Sequence, residues 1–297
     1  MPNRRPDMRP ADPAAHADMI IRANGASVTH PVDPAAQAGR PEHPPRVGFF
    51  TDTSICIGCK ACEVACKTWN EVPDDGFALS GMSYDNTVGL GASTWRHVAF
   101  IEQPSAVGDS VRWLMSSDVC KHCTESACLD VCPTGALFRT EFGTVVVQDD
   151  VCNGCGYCVP ACPFGVIARR EEDGQAHKCT LCYDRLSTGM EPACAKACPT
   201  DSIQFGPLDE LRERAQLRVA DLREAGQDKA QLYLDDPADG IGGGGAFFLL
   251  LDEPEVYGLP PDPVATTRDL PAMWRHVGLA AAGLAATAVA IGLGRRR

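Results

Sequence analysis

Sixteen cysteines in a chain of 297 residues constrain its fold more than any other feature, because they fall into four groups of four with none left over. The first group is CIGCKACEVAC, with Cys56, Cys59, Cys62 and Cys66. The second is CKHCTESACLDVCP, with Cys120, Cys123, Cys128 and Cys132. The third is CNGCGYCVPACP, with Cys152, Cys155, Cys158 and Cys162. The fourth, CTLC…CAKACP, supplies Cys179, Cys182, Cys194 and Cys198. Pro133, Pro163 and Pro199 follow the last cysteine of three groups, and Lys67 takes that place in the first.

C-x2-C-x2-C in a tight loop can wrap three thiolates around three corners of one [4Fe–4S] cubane. A cysteine three residues on starts a helix and points away, toward a second cluster in two-cluster ferredoxins. Gly58, Gly154 and Gly156 suit such loops, where backbone must approach the cluster in unusual conformations. Two other readings of the cysteines are weaker. A zinc-bound structural module also uses paired C-x2-C, but it closes on one tetrahedral ion and needs neither the third cysteine nor the trailing C-x3-C-P. Disulfides need an oxidising compartment. The N-terminal MPNRRPDMRPADPAAHADMI has no apolar run after Arg4–Arg5 and reads as a solvated tail rather than a twin-arginine signal. Export would then depend on a partner.

Spacing leaves the pairing of groups open. Groups one and three share one spacing, and groups two and four are looser variants. Either an inner unit of groups two and three nests inside an outer unit of groups one and four, or one pairs with two and three with four.

The formal net charge of −12 excludes a basic nucleic-acid-binding surface. RVGFFTDTS reads as a strand before the first group, and GTVVVQ as one before the third. WRHVAFIE and SVRWLMS predict a β-hairpin across QPSAVGD; GVIARR and QAHKC predict another across EEDG. PLDELRERAQLRVADLREAG predicts an amphipathic helix with Leu211, Ala215 and Leu222 on its apolar side and Gly226 at its C-terminus. A Gly run (Gly242 to Gly245), an apolar strand AFFLLL and a Pro-rich stretch follow. That run lacks the Lys-Ser/Thr of a phosphate loop. Neither a dinucleotide fingerprint nor a catalytic constellation is present, which leaves one-electron relay as the chemistry.

Residues 277–294 carry no charge and, as a helix, would span roughly 27 Å, about the hydrocarbon thickness of a bilayer. Trp274 at one end and Arg295, Arg296 and Arg297 at the other read as interfacial anchors, with His276 interfacial rather than a haem ligand. A buried soluble helix is the competing reading. No cysteine group lacks a member, so His122 and His177 are not needed as ligands and read as supports or solvated side chains. Lys60, Lys121 and Lys178 are either cations that tune the clusters or surface lysines on polar loops.

The stretches TSICIGCKACEVACKTWN, CNGCGYCVPACPFGV, HKCTLCYDRLSTGMEPACAKACPTDSIQFG and YGLPPDP closely resemble the iron–sulfur β subunits of membrane-bound respiratory formate dehydrogenases. The resemblance covers about residues 47–294. It implies the nested pairing, with Cys56, Cys59, Cys62 and Cys198 on one cluster and Cys66, Cys179, Cys182 and Cys194 on its neighbour. Cys120, Cys123, Cys128 and Cys162 would hold a third, and Cys132, Cys152, Cys155 and Cys158 a fourth. The implied fold is α+β: two nested ferredoxin-like units binding four [4Fe–4S] clusters, a C-terminal extension and one transmembrane helix. The expected boundaries are an extended arm at 1–46, an outer unit at 47–118 and 172–206, and an inner unit at 119–171. An extension at 207–272 and a membrane helix at 273–294 complete the chain. The implied function is non-catalytic electron transfer from a molybdenum- or tungsten-pterin catalytic α subunit to a membrane cytochrome b γ subunit and quinone, with the cluster domain outside the membrane. The same framework serves sulfoxide and polysulfide reductases and hydrogenases, the alternative within this class.

Overall fold

The computed structural model describes residues 34–37, 39, 43–74, 76, 87–104 and 111–294. Most of the arm expected at 1–46, the tip of the first hairpin and Arg295–Arg297 lie outside them.

The core is built on a four-stranded sheet. Strand β1 (Val47–Asp52) is central, and the hydrophobic run VGFF buries both its faces. The expected hairpins are present: β2 (Arg96–Pro104) pairs antiparallel with β3 (Val111–Val119), and β6 (Ala168–Arg169) with β7 (Ala176–His177). GTVVVQ forms β5 (Val145–Val147), paired with a strand absent from the sequence reading, β4 (Leu137–Arg139). Three further strands, β8 (Ile203–Pro207), β9 (Gln231–Tyr233) and β10 (Ala246–Leu250), complete the main sheet in the order β8-β1-β10-β9. Phe49 of β1 stands opposite Phe205 on one side and Ala246 on the other, in antiparallel and parallel pairing respectively.

Backbone closeness is sharpest at Gly48. A Cβ there would stand 2.0 Å from the Gly245 carbonyl oxygen, just where Phe49 N–H donates to that oxygen at 2.8 Å. Phe50 and Phe247 stack at 5.3 Å between ring centroids in the same core.

Helix α1 (Ala61–Trp69) follows the first two cysteines and carries Cys62 and Cys66 on its buried side. Helix α2 (Leu208–Glu224) packs Leu208, Leu211, Ala215 and Val219 on β1 and β8, while Leu222 is only partly buried. It ends as expected at Gly226. The glycine takes φ +88°, its N–H donates to Arg223 O, and Gln227 N–H donates to Leu222 O, which closes the last turn.

The Gly run delivers the chain to β10 and runs along the second cysteine loop: Thr124 N–H donates to Gly243 O at 3.0 Å and Ala246 N–H to Lys121 O at 3.0 Å. Helix α3 (Leu270–Gly294) projects from the body. Its segment Ala272–Ile291 is apolar enough to cross a membrane, with mean hydropathy 1.3, and none of the described residues buries it. Leu279 and Leu284, 67 % and 74 % exposed, rule out the buried-helix reading within this chain.

Candidate metal centres

The two cysteines that open each group flank one recurring turn. The residue just before the second cysteine has positive φ in all four: Gly58 at 64°, His122 at 44°, Gly154 at 70° and Leu181 at 56°. This left-handed residue curls the loop so that the flanking thiols point to one side. At Gly58 the requirement is also steric, because a Cβ would lie 2.6 Å from the Phe100 ring and 2.7 Å from Met115 Sδ. His122 and Leu181 hold the same conformation at some cost, since side chains disfavour it. Short helical turns at Ala127–Asp130, Cys158–Ala161 and Ala193–Lys196 then carry or flank the later cysteines.

The structure gathers the thiols across the groups. One hollow is lined by Cys56, Cys59, Cys62 and Cys198, with Ser117 and Ser202 at its wall. A second is lined by Cys120, Cys123, Cys128 and Cys162, with His122 and Lys178. Cys66 has the thiols of Cys179, Cys194 and Cys182 as neighbours, with the Arg96 guanidinium among them, and Cys158 has those of Cys152, Cys155 and Cys132. Each gathering takes three thiols from one group and one from another.

All sixteen thiols are free of disulfides. Among the described residues, no group of three or more His, Cys, Asp or Glu is placed to hold a single metal ion, so the tetrahedral zinc arrangement is not formed there. Burial, with neighbouring thiolates adding to it, raises the Cys128 thiol to about 12 and the Cys158 thiol to about 11. Four such thiols crowded together keep their protons unless a multivalent cationic group replaces them.

The surroundings supply hydrogen-bond donors for such a group. Leu181 N–H reaches Cys179 Sγ at 3.3 Å, and Ala176 N–H reaches Cys152 Sγ at 3.4 Å. Asn70 Nδ2 lies 3.7 Å from Cys66 Sγ and 3.8 Å from Cys182 Sγ. His122 is 1 % exposed; its Nδ1 accepts from Val145 N–H at 3.1 Å, and burial with nearby Lys178 and Arg46 keeps the ring neutral. Its proton therefore sits on Nε2, which has no partner in the protein and belongs to a residue lining the second hollow. A buried orphan donor beside four thiols fits an anionic, acceptor-rich cluster. His177 is elsewhere engaged, with Nε2 2.8 Å from Asp173 Oδ2.

Lys121 and Lys178 are 1 % and 2 % exposed, so the surface reading of these two lysines does not hold. Burial alone would discharge Lys178, but the thiolates of Cys120, Cys128 and Cys179 raise its pKa above the ordinary lysine value. Lys121 Nζ donates to Val119 O at 2.9 Å and lies over the Phe164 and Phe248 rings. Lys60 is partly exposed and pairs with Glu63 at 3.1 Å. The sequence reading missed Arg96, which is fully buried. Its Nη1 donates to Ser117 Oγ at 3.0 Å, while Nε and Nη2 have no nitrogen or oxygen partner among the described residues. An arginine opening an alternating strand carries no mark of that role.

Clustered free thiols, recurring left-handed turns and inward-facing buried donors define an iron–sulfur protein of the 4Fe–4S dicluster class. Family models described as "4Fe-4S dicluster domain" match residues 55–136 and 111–208. The chain is 44 % identical over 241 residues to the formate dehydrogenase iron–sulfur subunit of Haemophilus influenzae, covering 80 % of this chain and 75 % of that one. It is 40 % identical over 282 residues to the formate dehydrogenase-O iron–sulfur subunit of Escherichia coli, covering 91 % of each. It is also 39 % identical over 167 residues to one of the polypeptides of the Escherichia coli anaerobic dimethyl sulfoxide reductase, covering 56 % of this chain and 76 % of that one. The chain belongs to the formate dehydrogenase iron–sulfur subunits, a family of electron-transfer subunits.

Proposed function

We propose that this chain relays electrons from a molybdenum- or tungsten-pterin catalytic subunit that oxidises formate, through four [4Fe–4S] clusters, to a membrane cytochrome b subunit and quinone. The observation that carries the reading is the completion of each three-cysteine set by a thiol from another group. On this reading Cys56, Cys59, Cys62 and Cys198 hold the first cluster, and Cys66, Cys179, Cys182 and Cys194 the second. Cys120, Cys123, Cys128 and Cys162 hold the third, and Cys132, Cys152, Cys155 and Cys158 the fourth. The clusters, when bound, supply reversible one-electron oxidation and reduction. The chain's own residues hold and insulate them, donate hydrogen bonds to sulfur and place charge nearby; substrate turnover belongs to the partner.

Neighbouring thiols support a linear order of the sets. Cys62 of the first set is an electrostatic neighbour of Cys194 of the second, Cys179 of the second of Cys120 of the third, and Cys128 of the third of Cys158 of the fourth. Exposure supports the same order, because Cys59 and Cys155 are the two exposed cysteines and belong to the first and fourth sets. The lead-in to α3 supports a direction. Thr267 donates to Asp130, Arg268 pairs with Glu125 at 3.4 Å, and Ala265 packs with Ala127 and Ala161. The anchor is thus clasped to the loops between Cys123 and Cys162, so the fourth set takes the membrane end and the first faces the catalytic subunit.

Anaerobic purification of the assembled complex tests the reading. About sixteen iron atoms per copy of this chain are expected from four cubanes, with absorbance bleached on adding formate. About eight iron, stoichiometric zinc, or clusters reduced by dithionite but never by formate would reject it.

A further inference from the structure

Arg96 is a buried cation without a protein counter-ion. It is 1 % exposed, and among the described residues no carboxylate lies within ion-pair distance of it. Its backbone is fixed where β2 begins, opposite Val119 and so next to Cys120. Its guanidinium is fixed as well. Nη1 donates to Ser117 O at 3.3 Å and to Ser117 Oγ at 3.0 Å, and the Phe49 ring centroid lies 4.8 Å from Cζ. Ser117 Oγ is in turn 3.3 Å from Cys62 Sγ. Among the described residues Nε and Nη2 have no nitrogen or oxygen acceptor, and the Cys194 thiol lies beside the guanidinium.

A guanidinium does not discharge on burial as a lysine can, so the cost of an unpaired buried charge has to be met by an anion. The anionic neighbours are cysteines: Cys194, Cys62, Cys179 and Cys66, one from the first set and three from the second. We propose that Arg96 is a fixed positive charge shared by the first and second cluster sites, which raises the reduction potentials of both. The inference rests on the four-cluster reading. Each couple takes up one electron; no bond or proton changes at Arg96, and the added negative charge is stabilised by a cation already in place. The charged neighbours that most affect Cys158 of the fourth set are all thiols, whereas Arg96 also acts on His122 at the hollow of the third set, so its influence falls off along the row.

The test is an EPR-monitored redox titration with dithionite on the anaerobically purified complex, alongside iron analysis, for wild type, Arg96→Gln and Arg96→Lys. Signals are assigned to sites by Cys56→Ser and Cys179→Ser. Arg96→Gln is expected to keep full iron and to shift the reduction equilibrium of the first two clusters about tenfold toward the oxidised form, which is about 59 mV for one electron. The fourth cluster should stay in place and the third should shift less than the first two, and Arg96→Lys should stay within about threefold of wild type, since it keeps the charge. Unchanged first and second potentials in a fully loaded Arg96→Gln, or an equal shift of all four, overturns the proposal. Should Arg96→Gln fail to load, Arg96→Lys decides. Near-wild-type potentials support the proposal; a tenfold shift, or failure of the lysine variant to load, overturns it. Wild type with fewer than about sixteen iron rejects the four-cluster reading instead and leaves that failure distinct.

Discussion

Cys198 and Cys56 lie far apart in sequence yet line one hollow, with Ser202 between the strand end and the loop. If they share a cluster, Cys198→Ser and Cys56→Ser should each perturb the same EPR signal of the reduced protein, whereas Cys66→Ser should perturb the signal lost in Cys179→Ser. Loss of different signals in Cys198→Ser and Cys56→Ser would sink the pairing. Gly48 makes a separate point about packing. A methyl group there has backbone on one side, at 2.0 Å, and Leu208 Cδ2 at 2.7 Å on the other, so the strands must part. Gly48→Ala should cost about 1–3 kcal/mol and lower the Tm of the loaded protein by about 3–10 °C; an unchanged melting curve would refute the close approach. At this scale the four cysteine groups were legible in the sequence, because spacing is local, but which groups share a site was not legible from spacing. Arg96 was missed, and for Lys178 and His122 the sequence left a bland reading open, because what surrounds them comes from distant segments.

Elements were legible where their signal was periodic or bounded by turn residues. Both hairpins and α2 formed where alternation, helical spacing and Gly226 placed them. Strand β4 was missed because LFR is three residues with no alternation to read; it exists through pairing with VVV of β5. Sheet order was equally hidden, since parallel pairing of β1 with β10 joins segments about two thirds of the chain apart. Helix α3 makes the strongest prediction at this scale. The positive-inside rule puts the arginine-rich C-terminus in the cytoplasm and the cluster domain on the outer face. Protease added to intact spheroplasts should digest the cluster domain of the assembled complex. Cleavage confined to inverted vesicles reverses the orientation, and release of intact chain by salt washing removes the anchor.

Two of the buried clusters among the described residues are unequal cores. The larger gathers around the four-stranded sheet, while the lobe between β4 and β7 has its own cluster of six buried residues, Leu137, Val145, Val147, Cys158, Ile167 and Ala176. Cys128, Cys132, Cys152 and Cys162 pack against that small core, so an iron–sulfur cluster bound there would be a large part of what holds it. Removing iron by chelation under oxidising conditions should therefore loosen this lobe first. Hydrogen exchange should show the amides of Leu137, Val147 and His177 losing protection while Phe49 and Phe248 keep theirs; simultaneous loss at both places would contradict separate cores. The lobe contains the third group and runs past the segment 119–171 expected for the inner unit, to β7 at Ala176–His177, and the sheet that closes the other core was not legible.

The central strand of the main sheet is also the earliest one translated, and both its partners come late: β8 starts at Ile203 and β10 at Ala246. At 5–20 residues per second, the apolar VGFF segment waits about 8–30 s on the ribosome before β8, its first strand partner, exists to pair with it. Throughout that interval it is an unpaired, two-faced hydrophobic strand attached to the first three thiols of a site whose fourth has not been made. Co-translational assembly can complete the small lobe, but the first site stays open until synthesis passes Cys198. Such a chain order makes the nascent amino-terminal half the segment most open to misfolding while the protein is being made.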